Sequence, residues 1–274
     1  MALTYKDYIK TEKQPYMWCS GCGNGIILRS ITEALASLQI PLEKIVIATG
    51  IGCWGKADDY FNTHAFHGTH GRALAFATGI KAVRPEVHVL ALMGDGDSVT
   101  IGGNHFIHAA RRNLDVTAII SNNFNYGMTG GQYSATSPLA AITSTSPNGV
   151  PEPGFDVCEL AVSAGANYVA RTTVYHVKQM KKLIEQAISK KGFSMVEVMN
   201  ACPTHYGRRN MKGGGLALMN YFKEKAISKS RYDKLGEEER LGYLATGVFV
   251  DRDRPDFLTV YKQLNSRDLA GDAR

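Results

Sequence analysis

The sequence predicts an α/β protein built on a doubly wound parallel sheet, and three observations carry that expectation. Short apolar runs rich in Val and Ile recur along the chain, stretches of helical periodicity separate them, and the runs lack the alternation of a half-exposed sheet. In chain order, a helical pattern spans 23–39 and "KIVIAT" at 44–49 is the first strand. Helical patterns at 70–83 and 103–113 lead to "VHVLALMG" at 87–94 and "VTAIISN" at 116–122. Residues 123–155 are rich in Gly, Ser, Thr, Asn and Pro without periodicity, and so form a long loop of the kind that is usually functional or ordered by a partner. Helical patterns at 157–165 and 175–191 alternate with the last two runs, "NYVART" at 167–172 and "FSMVEVMN" at 193–200. Beyond Cys202 the pattern weakens. We therefore divide the chain into an α/β domain at 1–204 and a charged C-terminal extension at 205–274, with one helix expected near 215–227.

The bulk composition excludes several classes. At 274 residues, 44% hydrophobic and 20% charged, the chain has ample material for a core. The opening "MALTYKDYIKTEKQPYMW" has no apolar core of a signal peptide, and no apolar run reaches the ~18–20 residues of a membrane span. A cytoplasmic protein is expected. The net charge of +6 invites a nucleic-acid reading, but no concentrated Lys/Arg block accompanies it, and a basic surface suits anionic cofactors, acidic substrates or an acidic protein equally well.

"WCSGCGNG" at 18–25 places Cys19 and Cys22 in a C-x-x-C turn. A reducing cytosol argues against a disulfide, and the polar, Pro-containing lead-in lacks the first strand of a thioredoxin unit. Half a zinc site or half an iron–sulfur site remain.

Ligands of open parallel sheets bind beyond the carboxyl ends of the strands. There stand "GDGDSVTIGGNH" at 94–105 and "NNFNYGMTGGQ" at 122–132. Glycines let backbone approach a ligand closely, and Asp95, the Asn123 side-chain carbonyl and a neighbouring backbone carbonyl offer hard oxygens to Mg²⁺, with a diphosphate completing the shell.

"GDG", then 25 residues, then "NN" resembles the thiamine diphosphate motif, and the fuller pattern resembles the β subunit of 2-oxoacid:ferredoxin oxidoreductases over about residues 15–210. The resemblance is closest to the type that uses 2-oxoglutarate, with pyruvate and branched-chain 2-oxoacids as the alternative substrates. It implies the thiamine diphosphate-binding (PP-type) form of the fold, with Mg²⁺ held by Asp95, Asn123 and Asn125. It implies cofactor contacts from Gly94, Gly96, Asp97, Gly127 and Met128, from Ile51, Gly52, Cys53 and Trp54 after the first strand ("GIGCW"), and from His70 of "HGRA". It also implies a [4Fe-4S] cluster on Cys19, Cys22, Cys53 and Cys202, where zinc stays possible on ligand identity alone. The implied reaction is oxidative decarboxylation of a 2-oxoacid, with electrons passed to ferredoxin and the acyl group released on coenzyme A, or the reverse, which fixes CO₂. No catalytic residue is assigned to this chain. Lys56 of "CWGK", where a lysine accompanies use of 2-oxoglutarate in the resembling family, would meet the distal carboxylate of the substrate together with Met128.

Thiamine activation needs a second, pyrimidine-binding domain, for which this chain has no room. An α subunit carrying it is expected, in an αβ or (αβ)₂ complex, with 129–150 and the tail beyond 205 as contact segments. Cys158, on a helix face with Ala161 and Val162, is expected to be a structural thiol. His64 and His67 are assigned to a loop with no metal role. Two rival readings are a non-redox thiamine decarboxylase or carboligase and a zinc-stabilised nucleic-acid-binding module. Against the module stand the lack of aromatics interleaved with basic residues and the acidic Asp95–Asp97 loop.

Overall fold

In the computed structural model, residues 2–200, 202–211 and 213–269 are described. Their strands form one eight-stranded sheet in the order β2-β1-β3-β4-β6-β5-β8-β7. The strands are β1 Ile45–Thr49, β2 His64–His67, β3 His88–Gly94, β4 Thr117–Asn122, β5 Tyr168–Thr173, β6 Ser194–Met199, β7 Ala226–Ser228 and β8 Leu244–Asp251. All neighbours pair in parallel except β5 and β8, which run antiparallel.

Five helices cover the sheet: α1 Asn24–Leu38, α2 Ala73–Val83, α3 Gly103–Arg111, α4 Val157–Ala164 and α5 Val177–Ser189. Because side chains alternate across a strand, each central strand feeds two cores. Leu90, Leu92, Ile119 and Val196 pack beneath α1 and α5, while Val89, Ala91, Ala118 and Met195 pack beneath α2, α3 and α4. This two-sided burial explains why the strands read as continuous apolar runs. Local capping agrees with it: the Asp156 carboxylate accepts the Glu159 N–H at the start of α4, and Gly165 at φ 100° ends that helix.

Two elements depart from the sequence reading, and a third is firmer than a bare loop. His64–His67 form the edge strand β2 rather than a loop, and all four residues are exposed. The C-terminal segment is not only an appendage. After a helix at Gly214–Lys225, β7 and β8 join the sheet beside β5 and extend it. The last five residues of the extension lie outside the described residues. The long loop 123–155 contains no strand or helix, yet it is knit internally by Ala140 N–H to Val150 O (2.8 Å), Val150 N–H to Ala141 O (2.9 Å) and Phe155 N–H to Ala135 O (2.7 Å). Among the described residues no helix is long and apolar enough to cross a membrane.

Candidate active site at the carboxyl ends of the strands

The residues after β1, β3, β4 and β6 meet at one edge of the sheet. A cavity there is lined by Ile51, Gly52, Cys53, Trp54, His70, Gly94, Asp95, Gly96, Asp97, Asn123, Asn125, Gly127 and Met128, the residues named above for cofactor and Mg²⁺. Ser121, Tyr126 and Thr129 line it as well, and nothing in their spacing marked them. The close approach of these segments needs glycine: a Cβ on Gly50 would collide with the Asp97 carboxylate, and one on Gly96 with the Tyr126 ring.

At the metal position the geometry is specific. The Asn123 side-chain oxygen stands 3.2 Å from Asp95 Oδ1 and 2.7 Å from the Asn125 carbonyl, so three oxygens converge. A flipped amide would place nitrogen there and donate to both neighbours. Three converging oxygens are what a hard divalent cation takes, and the residues fit Mg²⁺. Burial pushes the Asp95 carboxyl up to about 6, against hydrogen bonds from Ser134 and Thr136 that favour its charge. The turn bearing Asn123 and Asn125 passes through Phe124 at φ 64°, a conformation costing about 1–2 kcal/mol for a residue with a Cβ. Asn122 holds that turn, its Oδ1 accepting the Phe124 N–H (3.1 Å) and its Nδ2 donating to the buried Glu197 (2.8 Å). Glu197 is in turn paired with Arg171 at 2.6 Å.

Asp97 lies at the cavity, but its contacts are with the protein. Its Oδ1 accepts the N–H groups of Gly71 (2.6 Å) and Ile51 (3.3 Å) and sits 2.6 Å from His70 Nδ1. A carboxylate accepts only, so Nδ1 carries the proton and His70 is held in one tautomer. The second Asp97 oxygen is buried without a partner, as is Asn125 Oδ1.

A second cavity, of about 270 Å³, is lined by Cys19, Cys22, Cys53 and Cys202. The two cavities share Cys53, Asn123, Gly127 and Met128. A Cβ on Gly127 would stand 3.5 Å from Cys53 Sγ and 3.7 Å from Cys202 Sγ, so glycine there leaves the thiols clear. The Cys19–Cys22 turn closes through Cys22 N–H to Cys19 O (2.9 Å). Behind it, Asn24 Oδ1 accepts from Ser121 Oγ (2.9 Å) and Asn200 Nδ2 (2.6 Å), tying α1 to the ends of β4 and β6. Burial and the neighbouring sulfurs push the Cys22 thiol up to about 12 and the Cys53 thiol up to about 11. Such thiols resist ionising together unless a cationic centre compensates them. Among the described residues no three His, Cys, Asp or Glu side chains gather tightly enough for one metal ion. Four thiols lining one cavity are the donor set that an iron–sulfur core takes.

Lys56 lies apart from both cavities in this chain. Its ammonium pairs with Asp59 at 2.8 Å on a partly exposed surface. Met128 is 43% exposed in the wall common to both cavities. Cys158 is fully buried, with Sγ 3.5 Å from Glu197 Oε2.

Comparisons with known proteins agree with this geometry. Residues 50–198 match the family model described as "Thiamine pyrophosphate enzyme, C-terminal TPP binding domain". The 2-oxoglutarate synthase subunit KorB of Methanocaldococcus jannaschii is 43% identical over 92% of this chain and 93% of its own length. The KorB subunit of Archaeoglobus fulgidus is 52% identical over 75% of this chain and 76% of its own. The solved 2-oxoglutarate:ferredoxin oxidoreductase of Magnetococcus marinus, with 2-oxoglutarate, coenzyme A and succinyl-CoA bound, superposes with a TM-score of 0.86 at 29% identity, covering 99% of this chain and 92% of that one. The chain belongs to the thiamine pyrophosphate enzymes and, among them, to the KorB family of 2-oxoglutarate synthase subunits.

Proposed function

We propose that this chain is the β subunit of a cytoplasmic 2-oxoglutarate:ferredoxin oxidoreductase, which forms succinyl-CoA and CO₂ from 2-oxoglutarate and coenzyme A and delivers the electrons to ferredoxin. The observation that carries the reading is the wall shared by the oxygen corner at Asp95 and the four-thiol cavity. A redox centre in the second cavity would lie directly against a cofactor in the first.

Asp95 Oδ1, Asn123 Oδ1 and the Asn125 carbonyl would hold Mg²⁺ and, through it, the diphosphate. Thiamine diphosphate, when bound, supplies the electron sink that lets a 2-oxoacid lose CO₂. His70, oriented by Asp97, presents its other ring nitrogen as the group able to accept or return a proton at the cavity. Trp54 and Tyr126 add ring surface to the walls, and Met128 and Ile51 give the cavity an apolar lip that limits water. Cys19, Cys22, Cys53 and Cys202 would ligate a [4Fe-4S] cluster, which moves electrons singly. The pyrimidine-binding domain would come from an α subunit.

The test is reconstitution with the α subunit under anaerobic conditions. Reduction of ferredoxin that requires both 2-oxoglutarate and coenzyme A, with pyruvate much poorer, is the expected result. Equal turnover of pyruvate would overturn the substrate assignment, and CO₂ release with no ferredoxin reduction would overturn the oxidoreductase assignment.

A further inference from the structure

Asp95 is 2% exposed, and its two oxygens have different surroundings. Oδ1 stands 3.2 Å from the end of the Asn123 amide, whereas Oδ2 receives Ser134 Oγ at 2.5 Å and Thr136 Oγ1 at 2.8 Å. A hydroxyl carries one proton, so its destination matters. Thr136 Oγ1 is also 3.0 Å from Asn122 Oδ1, a neutral amide oxygen that accepts the Phe124 N–H as well. The two hydroxyls are 3.1 Å apart, and each has the same charged oxygen within reach. Both protons are best placed on Asp95 Oδ2, since a hydrogen bond to a charged acceptor is roughly twice as strong as one to a neutral acceptor. Ser134 is itself fixed, its N–H donating to Ser137 Oγ at 2.9 Å. Both residues come from the long loop, 39 and 41 positions after Asp95.

We infer that Ser134 and Thr136 are positioning residues that occupy Asp95 Oδ2, making Asp95 a one-oxygen ligand and selecting Mg²⁺ over Ca²⁺. The inference rests on the reading of Asp95 as a metal ligand. Mg²⁺ demands near-octahedral geometry at about 2.0–2.1 Å, whereas Ca²⁺ takes 6–8 ligands at about 2.3–2.6 Å and readily accepts both oxygens of a carboxylate. Tying one oxygen to two hydroxyls withholds the second ligand that Ca²⁺ would use. It also gives the loop 123–155 a task for which its composition, rather than any periodicity, equips it.

The experiment measures metal-dependent thiamine diphosphate binding to the assembled αβ complex by calorimetry, with Mg²⁺ and with Ca²⁺ as the metal alone. Thr136→Val should weaken Mg²⁺ by roughly 10–100-fold, as loss of an outer hydrogen bond to a ligand does. Ca²⁺ should weaken less or strengthen, so that the Mg²⁺/Ca²⁺ preference falls about tenfold. Ser134→Ala should move the preference the same way, and Thr136→Ser should restore it. Thr143→Val removes a buried hydroxyl of the same loop that serves Ser146 N–H; it should lower the melting temperature without moving the preference. If Thr136→Val fails to assemble, Ser134→Ala decides. Equal weakening of both metals, or an unchanged Mg²⁺ constant, would overturn the inference. Wild-type binding that ignores Mg²⁺ would instead overturn the assignment of Asp95 as a ligand, and the inference with it.

Discussion

The oxygen corner around Asp95 and the sulfur corner around Cys22 share Cys53, Asn123, Gly127 and Met128 as a wall, yet the protein finishes them differently. At the oxygen corner the protein itself holds Asp95. Two hydroxyls fix one Asp95 oxygen, and Asn122, Glu197 and Arg171 brace the turn that presents Asn123 and Asn125. At the sulfur corner the thiols come from three separate segments, and burial holds two of them in the protonated form. Under the function proposed above, the first would be a preorganised cradle and the second would be completed by its occupant, as sites with buried thiolate ligands usually are. The two should therefore fail independently.

The largest expected effect comes from Cys22→Ala. Iron and ferredoxin reduction should be lost together, while Mg²⁺-dependent thiamine diphosphate binding to the complex survives; loss of both would show the corners to be one unit. Asp95→Asn is the converse. Cofactor affinity should fall well beyond the roughly 10–100-fold of an outer-shell change, with iron content unaltered on direct assay.

Glu197→Gln strips the buried Arg171 of one partner and leaves it Asp156 at 2.6 Å. Breaking such a pair costs about 3 kcal/mol, or about 6–12 °C in melting temperature, and the oxygen corner should suffer before the sulfur corner. An unchanged melting curve would remove the bracing role. Lys56→Ala stands last. A partly exposed pair with Asp59 contributes about 0–1 kcal/mol, so KM for 2-oxoglutarate and for pyruvate should each move less than about fivefold. A large rise for 2-oxoglutarate alone would mean that assembly with the α subunit redirects Lys56 to the substrate.

The parts of the molecule legible in the sequence are those where one physical rule dominates. The five central strands are buried on both faces and read as apolar runs, and α5 shows its amphipathic period through Met180, Leu183, Ile184 and Ala187. β2 escaped because an exposed edge strand of "HAFH" has no apolar face to repeat. β8 escaped because Gly247 interrupts it and its burial is uneven, so pairing with β5 rather than local pattern makes it a strand. At the site, Asp95 and Asn123 lie just beyond β3 and β4, as the strand pattern implied, because each follows a strand end. The roles of Ser134, Thr136, Asn122 and Glu197 were hidden, because their contacts join segments 14 to 75 residues apart and no local rule connects them. Asp97 shows the opposite limit. Its position was legible, but its use as the anchor of His70 required the folded backbone of Gly71 and Ile51.

The most direct measurement is the iron, acid-labile sulfide and zinc content of the αβ complex purified without oxygen. About four irons and four sulfides per β chain are expected if Cys19, Cys22, Cys53 and Cys202 hold the redox centre. One zinc with no sulfide would contradict it, leaving a thiamine site with no outlet for electrons.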